Sequence, residues 1–151
     1  MIRYALAAAV VVVGITAAFA QDSVTARRSV MKAISAPHYG VLGAMGRARQ
    51  PYDQAKVDAA FVALETQVPK IPTLFPADSN KGPDAGSDYY AAPAAFQPQA
   101  NADIEAKVAA VSKAIADVKG TAKDVASLNA AFTAINNACN ACHSVYQARK
   151  S

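Results

Sequence analysis

The stretch that decides the fold is residues 125 to 146, VASLNAAFTAINNACNACHSVY. Its apolar positions are separated alternately by three and four residues, the spacing of a helix face that packs against partner helices. The pattern predicts a core-facing helix, predicted helix 4, with Thr121 or Asp124 as its N-cap. Seven residues form this buried seam, and both cysteines are among them: Val125, Leu128, Phe132, Ile135, Cys139, Cys142 and Tyr146.

Three further segments carry helical spacing. Predicted helix 1 starts at Asp22 or Ser23, and predicted helix 2 has Asp53 as its N-cap and ends at Pro69. Predicted helix 3 ends at Gly120. The four helices predict an all-α fold, an antiparallel four-helix bundle. The expected core stripes of helices 1 to 3 are Val24, Met31, Ile34, Val41 and Met45; Val57, Phe61, Leu64 and Val68; and Ile104, Val108, Val111, Ile115 and Val118.

Residues 69 to 100 connect helices 2 and 3 and hold six of the eight prolines of the chain. This composition predicts a long crossover loop, and Phe75, Tyr89, Tyr90 and Phe96 favour a loop that packs against another part of the structure.

Predicted helix 1 contains a proline and three regularly spaced glycines. Pro37 removes a backbone donor and collides with the carbonyl one turn back, so it should bend or interrupt the helix. Gly40, Gly43 and Gly46 recur every third residue and would allow another backbone to come close.

The N-terminus is typical of an exported protein. Arg3 precedes an apolar run, and Ala18-Phe19-Ala20 suits signal peptidase. We expect residues 1–20 to be a cleavable signal peptide and residues 21–151 to be the mature domain, located in the periplasm. An uncleaved anchor is the alternative, but the apolar run is marginal for spanning a bilayer. We therefore expect no stable membrane insertion after cleavage.

The charge pattern argues against nucleic-acid binding. Removing Arg3 with no acid lowers the formal net charge from +4 to +3. The chain contains no run of Lys or Arg, and bases alternate with acids along the helices, so a nucleic-acid footprint is not expected. Lys107, Lys113, Lys123 and Lys150 could contribute to a docking surface, although solvated helix faces are the simpler interpretation.

Residues 139 to 143 read Cys-Asn-Ala-Cys-His, the C-x-x-C-H attachment signal of c-type haem. Two thiols add to the vinyl groups, and the next histidine coordinates iron. On a helix, Cys139 and His143 lie one turn apart on one face, with Cys142 beside them on the seam. The motif predicts one covalent haem c, with thioethers at Cys139 and Cys142 and His143 as the proximal iron ligand.

Three other interpretations compete with haem attachment. A disulfide between Cys139 and Cys142 would close a very small loop and leave His143 unexplained. A thioredoxin-like redox pair needs a βαβ setting that the pattern lacks. A structural zinc site requires four ligands, and beyond Cys139, Cys142 and His143 the chain offers His38 as its only other histidine.

The ligand at the sixth coordination position of the iron would come from predicted helix 1, where Met31, Arg27 and His38 share the inward seam. Met31 is the candidate distal ligand, and an ordinary core methionine is its alternative. His38 is expected to be a partly buried, hydrogen-bonded imidazole and not an iron ligand, because Pro37 disturbs the helix there. Met45 is expected to be a core residue. Arg27 would contact a haem propionate or the pocket, with a snorkelling surface arginine as the alternative.

With these features the chain resembles the class II cytochromes c, the cytochrome c′ family, and most of all its low-spin cytochrome c-556 branch. The resemblance covers nearly the whole mature chain. It rests on the C-terminal C-x-x-C-H with Tyr146 after it and on four other stretches: Arg27-x-x-x-Met31, residues 41–45 (VLGAM), residues 51–55 (PYDQA) and residues 74–76 (LFP). Many members have a basic residue directly after this tyrosine, whereas this chain has Gln147.

The resemblance implies a four-helix bundle in which His143 is the proximal ligand and Met31 the axial methionine. It implies a non-enzymatic electron carrier with periplasmic redox partner proteins. The family's high-spin branch implies the alternative, a five-coordinate haem that binds small gases such as nitric oxide. Members often dimerise through the first two helices, so a homodimer through helices 1 and 2 is a further expectation.

Overall fold

The computed structural model describes residues 25–76 and 100–147, which are helical and contain no strand. Helix α1 covers residues 25–46, helix α2 Gln54–Gln67, helix α3 Ala100–Lys119 and helix α4 Val125–Tyr146. Each helix packs against two others, α1 against α2 and α4, and α3 against α4 and the end of α2. The predicted four-helix bundle is confirmed. The expected signal peptide and the start of helix 1 lie outside the described residues.

Two of the predicted N-caps are present. The Asp53 side chain accepts a hydrogen bond from the backbone amide of Lys56 at 3.2 Å. At the start of α4 the cap is Asp124, whose Oδ1 accepts from the Ser127 amide at 2.7 Å while Ser127 Oγ accepts from the Asp124 amide at 3.1 Å. This reciprocal capping box satisfies two amides that the helix itself leaves unpaired.

Helix α1 accommodates Pro37 by widening. After an α-helical stretch to residue 35, Ala36–Gly43 forms a π-helix with proline in its first turn, and Ala44–Gly46 returns to α-helix. The π-turns shift which residues face the core. Leu42 is therefore fully buried, whereas Val41, which the α-helical seam predicted for the core, is half-buried.

The connection after α2 begins as a helix and not as a loop. Val68–Leu74 forms a 3-10 helix that contains both Pro69 and Pro72. Its buried residues recur every third position, at Val68, Ile71 and Leu74, which is the period of a 3-10 helix. The prediction that the segment is loop from residue 69 is therefore wrong for its first turns.

Most residues of the predicted stripes form one core; Val125 is half-buried and outside it, and Val24 lies outside the described residues. On α4, Leu128, Phe132 and Ile135 are buried, and both cysteines pack against them half-buried. The α2 and α3 stripes are buried as predicted, except for a half-buried Val118. Of the loop aromatics expected to pack, Phe75 is buried; Tyr89, Tyr90 and Phe96 lie outside the described residues. Within the described ranges, no helix has the length and apolar character to cross a membrane.

Two of the three α1 glycines bring α1 close to α4. A Cβ on Gly46 would lie 3.0 Å from the backbone of Asn129, and one on Gly43 would lie 2.8 Å from the Phe132 ring. Gly40 meets nothing within 4 Å and is exposed. The approach of another backbone predicted for the glycines is thus made at Gly46, inside the chain, whereas Gly43 makes room for the Phe132 ring.

Candidate functional site

A cavity of about 430 Å³ lies between α1, α3, α4 and the 3-10 helix. This volume falls within the range of small-molecule and cofactor pockets. Its walls combine aliphatic side chains with the Cys-x-x-Cys-His motif: Ile34, Val68, Ile71, Val108 and Val111 from the core, and Cys139, Cys142 and His143 from α4. A second space of about 20 Å³ shares Met31, Cys142 and His143 with it.

Cys139 and Cys142 are free thiols in the structure, so the competing disulfide is not formed. Burial, and then the neighbouring Cys142, raises the pKa of Cys139 to about 11, and burial also raises the pKa of Cys142. Both groups are therefore neutral thiols at neutral pH, with little thiolate for disulfide exchange or metal binding.

His143 lies half-buried in the cavity wall, on the last turns of α4. Burial lowers its pKa below the ordinary value, so the ring is neutral at neutral pH. A neutral imidazole is the form that coordinates a metal ion. The structure therefore holds the predicted proximal ligand in its coordinating protonation state beside both thiols.

Met31 reaches the same cavity from α1. It is half-buried and lines both the large and the small space together with His143. Met45, by contrast, is 2% exposed, belongs to the core and is not among the cavity residues, as its core interpretation predicts. Of Met31 and Met45, only Met31 is placed to meet a group bound between α1 and α4.

His38 enters the cavity from the π-helical segment and is more deeply buried than expected, with 2% exposure. Its ring stacks on Phe132 at 4.6 Å. Burial lowers its pKa, against the effect of the nearby Asn136 side chain, and the charge of Arg47 lowers it further. Neither ring nitrogen reaches hydrogen-bond geometry with a described residue, so the expected hydrogen-bonded imidazole is not observed.

Arg27 is completely buried, which excludes the snorkelling alternative. Its Nη1 donates to the carbonyl of Leu74 at 3.0 Å, and its guanidinium lies 5.5 Å from the centroid of the Phe75 ring. Arg27 is not among the residues that line the large cavity, although Phe75 lines the small one. The side chain therefore joins α1 to the end of the 3-10 helix and to Phe75, which follows it.

A polar network at the motif was not predicted from the sequence. Tyr146 Oη donates to Asp103 Oδ2 at 2.5 Å, and Asp103 also pairs with Lys107 Nζ at 3.7 Å. Lys107 lines the cavity close to Cys142. The i,i+4 spacing of Asp103 and Lys107 was a visible signal, but their distance from Tyr146 in the chain concealed the link.

These features fit a covalently attached haem. The cavity has mainly aliphatic walls, and two neutral thiols and a neutral imidazole line it from α4. Met31 lines it from α1 and adds a thioether sulfur. Cys139, Cys142 and His143 would hold the group from α4, and Met31 would face it from α1. The buried aliphatic walls would keep water from most of its surface.

Comparison with known proteins places the chain among haem proteins. The family model described as Cytochrome C′ matches residues 22–147. Cytochrome c-555 of Bradyrhizobium diazoefficiens is 36% identical over 97% of both chains, and cytochrome c′ of Rhodopseudomonas palustris is 34% identical over 99% of both. The structure of cytochrome c556 from R. palustris is 35% identical, covering 87% of this chain and 99% of that one, with a TM-score of 0.73.

Both the matched sequence range and the bundle agree with the resemblance drawn from the motifs, including its cytochrome c-556 branch. The cofactor that the motif predicts, covalent haem c, is the cofactor of these relatives. The chain belongs to the cytochrome c′ family, the class II cytochromes c that carry covalently attached haem c in a four-helix bundle.

Proposed function

We propose that the protein is a periplasmic carrier of single electrons, with its haem joined to Cys139 and Cys142 and its iron held by His143 and Met31. The observation that carries this proposal is that Met31 lines both spaces that His143 lines, from the facing helix. When bound, the haem supplies a one-electron Fe(III)/Fe(II) couple.

The residues of the chain would set the properties of that couple. The neutral imidazole of His143 and the thioether of Met31 would complete the coordination, and methionine ligation raises a haem potential relative to two histidines. The aliphatic walls would keep water from most of the haem surface. If His143 and Met31 both held the iron, no position would be left on it for substrate chemistry, which is why we propose a carrier and not an enzyme.

The second candidate is a five-coordinate haem that binds small gases such as nitric oxide. It is supported by the 34% identity to a cytochrome c′ over 99% of both chains, nearly equal to the other identities, and by Met31, which could simply pack in the cavity. Absorption spectra of the ferrous holoprotein with and without carbon monoxide separate the two. A low-spin spectrum that carbon monoxide leaves unchanged at neutral pH is expected; rapid formation of a carbon monoxide complex would refute the electron-carrier proposal.

Export is part of the same proposal. Haem attachment outside the cytoplasm suits a chain whose residues 1–20 are a signal peptide and whose residues 21–151 form the haem domain. Expressed with the bacterial c-type maturation machinery, the chain should appear in the periplasmic fraction. Its mass should correspond to a start at Gln21 plus one haem, and a cytoplasmic product that retains Met1 would contradict export.

A homodimer through α1 and α2 is retained as a proposal. Because Gly43 and Gly46 pack on α4, only Gly40 offers an open glycine surface on α1. Sedimentation velocity of the holoprotein at micromolar concentration should give the mass of two chains, and a single-chain mass at all concentrations would exclude the dimer.

A further inference from the structure

Charge is distributed unevenly over the bundle. Residues 25–50 contain five bases and no acid, and residues 125–146 contain no Lys, Arg, Asp or Glu. The carboxylates of the described residues lie on α2, α3 and the turns beside them: Asp53, Asp58, Glu65, Asp103, Glu105, Asp117 and Asp124. The described part of the α1/α4 side therefore has more basic than acidic residues.

Ion pairing strengthens this contrast. On α2, α3 and their termini, Lys56, Lys107, Lys113 and Lys119 each lie within 4.0 Å of a carboxylate, whereas Lys70 of the 3-10 helix and Lys123 before α4 do not within the described ranges. Lys32, Arg47 and Arg49 of the α1 segment have no carboxylate at that distance within the described ranges.

The haem cavity opens on the same side. Of its lining residues from α3 and the 3-10 helix, Val68, Ile71, Val108 and Val111 are buried and Lys107 is half-buried. The exposed lining residues are instead Lys32, Ser35 and Tyr39 of α1 and Asn140 of α4. The mouth therefore lies between α1 and α4, and an edge of the bound haem would come nearest to the surface there.

Aromatic contacts join this mouth to the basic side chains. Tyr39, 47% exposed, donates through Oη to Asn136 Oδ1 of α4 at 2.8 Å, and its ring lies 5.8 Å from that of Phe132. The Arg47 guanidinium lies 4.5 Å from the centroid of the same Phe132 ring. Lys32 lies about two helical turns before Tyr39. We call Lys32, Tyr39, Arg47, Asn136 and Asn140 the α1/α4 rim.

We propose that the α1/α4 rim is the docking surface for an acidic patch on a redox partner protein, and that electrons enter and leave the haem there. This inference rests on the proposed electron-carrier function. Unneutralised positive charge at the mouth steers an acidic partner to the haem edge and accelerates encounter at low salt. The exposed tyrosine and the uncharged amides of α4 provide contact area without introducing an opposing carboxylate.

The first test measures the local electrostatic potential at the site of electron exchange. Reduced holoprotein is oxidised in a stopped-flow instrument by hexacyanoferrate(III), an anion, and by tris(phenanthroline)cobalt(III), a cation. The rim variant is Lys32→Gln with Arg47→Gln. The matched control is Lys113→Gln with Lys119→Gln, which removes the same charge from exposed sites on α3.

At low ionic strength the rim variant should react about 3- to 10-fold more slowly than the control with the anion, but not with the cation. The difference should disappear near 1 M salt, where the screening length is about 3 Å. Equal slowing in both variants would show that only net charge matters and would overturn the proposal, as would no slowing in either.

The second test addresses the class of partner. Adding polyglutamate to ¹⁵N-labelled holoprotein should shift the amide signals of the rim, and shifts confined to α3 would overturn the assignment. Salt-resistant sedimentation with phosphatidylglycerol vesicles, lost in the rim variant, would assign the rim to a membrane surface instead. If the ferrous holoprotein forms a carbon monoxide complex, the electron-carrier function is refuted, whatever the rim variant shows. If the haem is low-spin and does not bind carbon monoxide but the rim variant behaves like the control, only this inference is refuted.

Discussion

Tyr146 Oη and Asp103 Oδ2 are 2.5 Å apart, joining the last turn of α4 to the first turn of α3 beside the haem-binding motif. Because Asp103 is largely exposed, we expect Tyr146→Phe to lower the unfolding free energy of the holoprotein by only about 1 kcal/mol. Urea denaturation measures this effect. Asp103→Ala, made in the unsubstituted protein and in Tyr146→Phe, gives the coupling free energy between the two side chains. Additive effects of the two substitutions would contradict a direct coupling.

The same bond has a pH dependence of defined sign. Hydrogen bonding to Asp103 raises the pKa of Tyr146 to about 12, above its ordinary value of 10.0. The protonated phenol is thus favoured in the folded state, and its stabilising contribution is complete below pH 10 and is lost as the pH rises towards 12. Tyr146→Phe should therefore reduce the loss of stability between about pH 10 and 12.

Met31→Leu should convert a low-spin haem into a high-spin one that binds carbon monoxide. Leucine preserves the packing volume but has no sulfur to coordinate iron. Absorption and magnetic circular dichroism spectra measure the change. Met45→Leu is the matched control, because Met45 lies in the core and outside the cavity. An unchanged spectrum for Met31→Leu would exclude Met31 as the ligand.

Substituting the α1 glycines tests how closely α1 packs on α4. The Cβ that Gly46→Ala introduces would lie 3.0 Å from the Asn129 backbone and needs some movement of the helices, whereas the Cβ of Gly40→Ala meets nothing within 4 Å. We expect Gly46→Ala to cost about 1–3 kcal/mol through overpacking. Gly40→Ala should be neutral or stabilising by up to about 1 kcal/mol. Thermal unfolding of both variants gives the ranking, and the reverse order would contradict the packing described.

The burial of His38 predicts a loss of stability in mild acid. Its pKa is lowered in the folded protein, mainly by burial, so below about pH 6.5 the unfolded chain binds a proton more readily than the folded one. This single group can remove up to about 1.4 kcal/mol per pH unit. His38→Leu should flatten the decline measured by urea denaturation between about pH 7 and 5.5, and an unaltered slope would show that other groups cause it.

Arg27→Met distinguishes two roles for a buried arginine. Loss of the hydrogen bond to the Leu74 carbonyl should cost about 1–3 kcal/mol of stability. If Arg27 also contacts a haem propionate, as proposed from the sequence, removing its positive charge should lower the reduction potential as well. A spectroelectrochemical titration that finds the potential unchanged would leave Arg27 with its structural role alone.

The sequence by itself determined the class of the protein. The alternating three and four spacing of α4, the stripes of α2 and α3, and the caps Asp53 and Asp124 are local patterns, and each acts within a few turns of helix. The C-x-x-C-H motif is equally local, since its geometry needs only one helical turn. These features were sufficient to predict a four-helix bundle with a haem site on α4.

Tertiary structure decided what depends on contacts between distant parts of the chain. Pro37 predicted an interruption, but packing converted it into a π-helix that buries Leu42 in place of Val41. The 3-10 helix through Pro69 and Pro72 forms because Val68, Ile71 and Leu74 find a core to bury them. The Tyr146–Asp103 bond and the position of the cavity mouth between α1 and α4 likewise join segments that no local pattern relates.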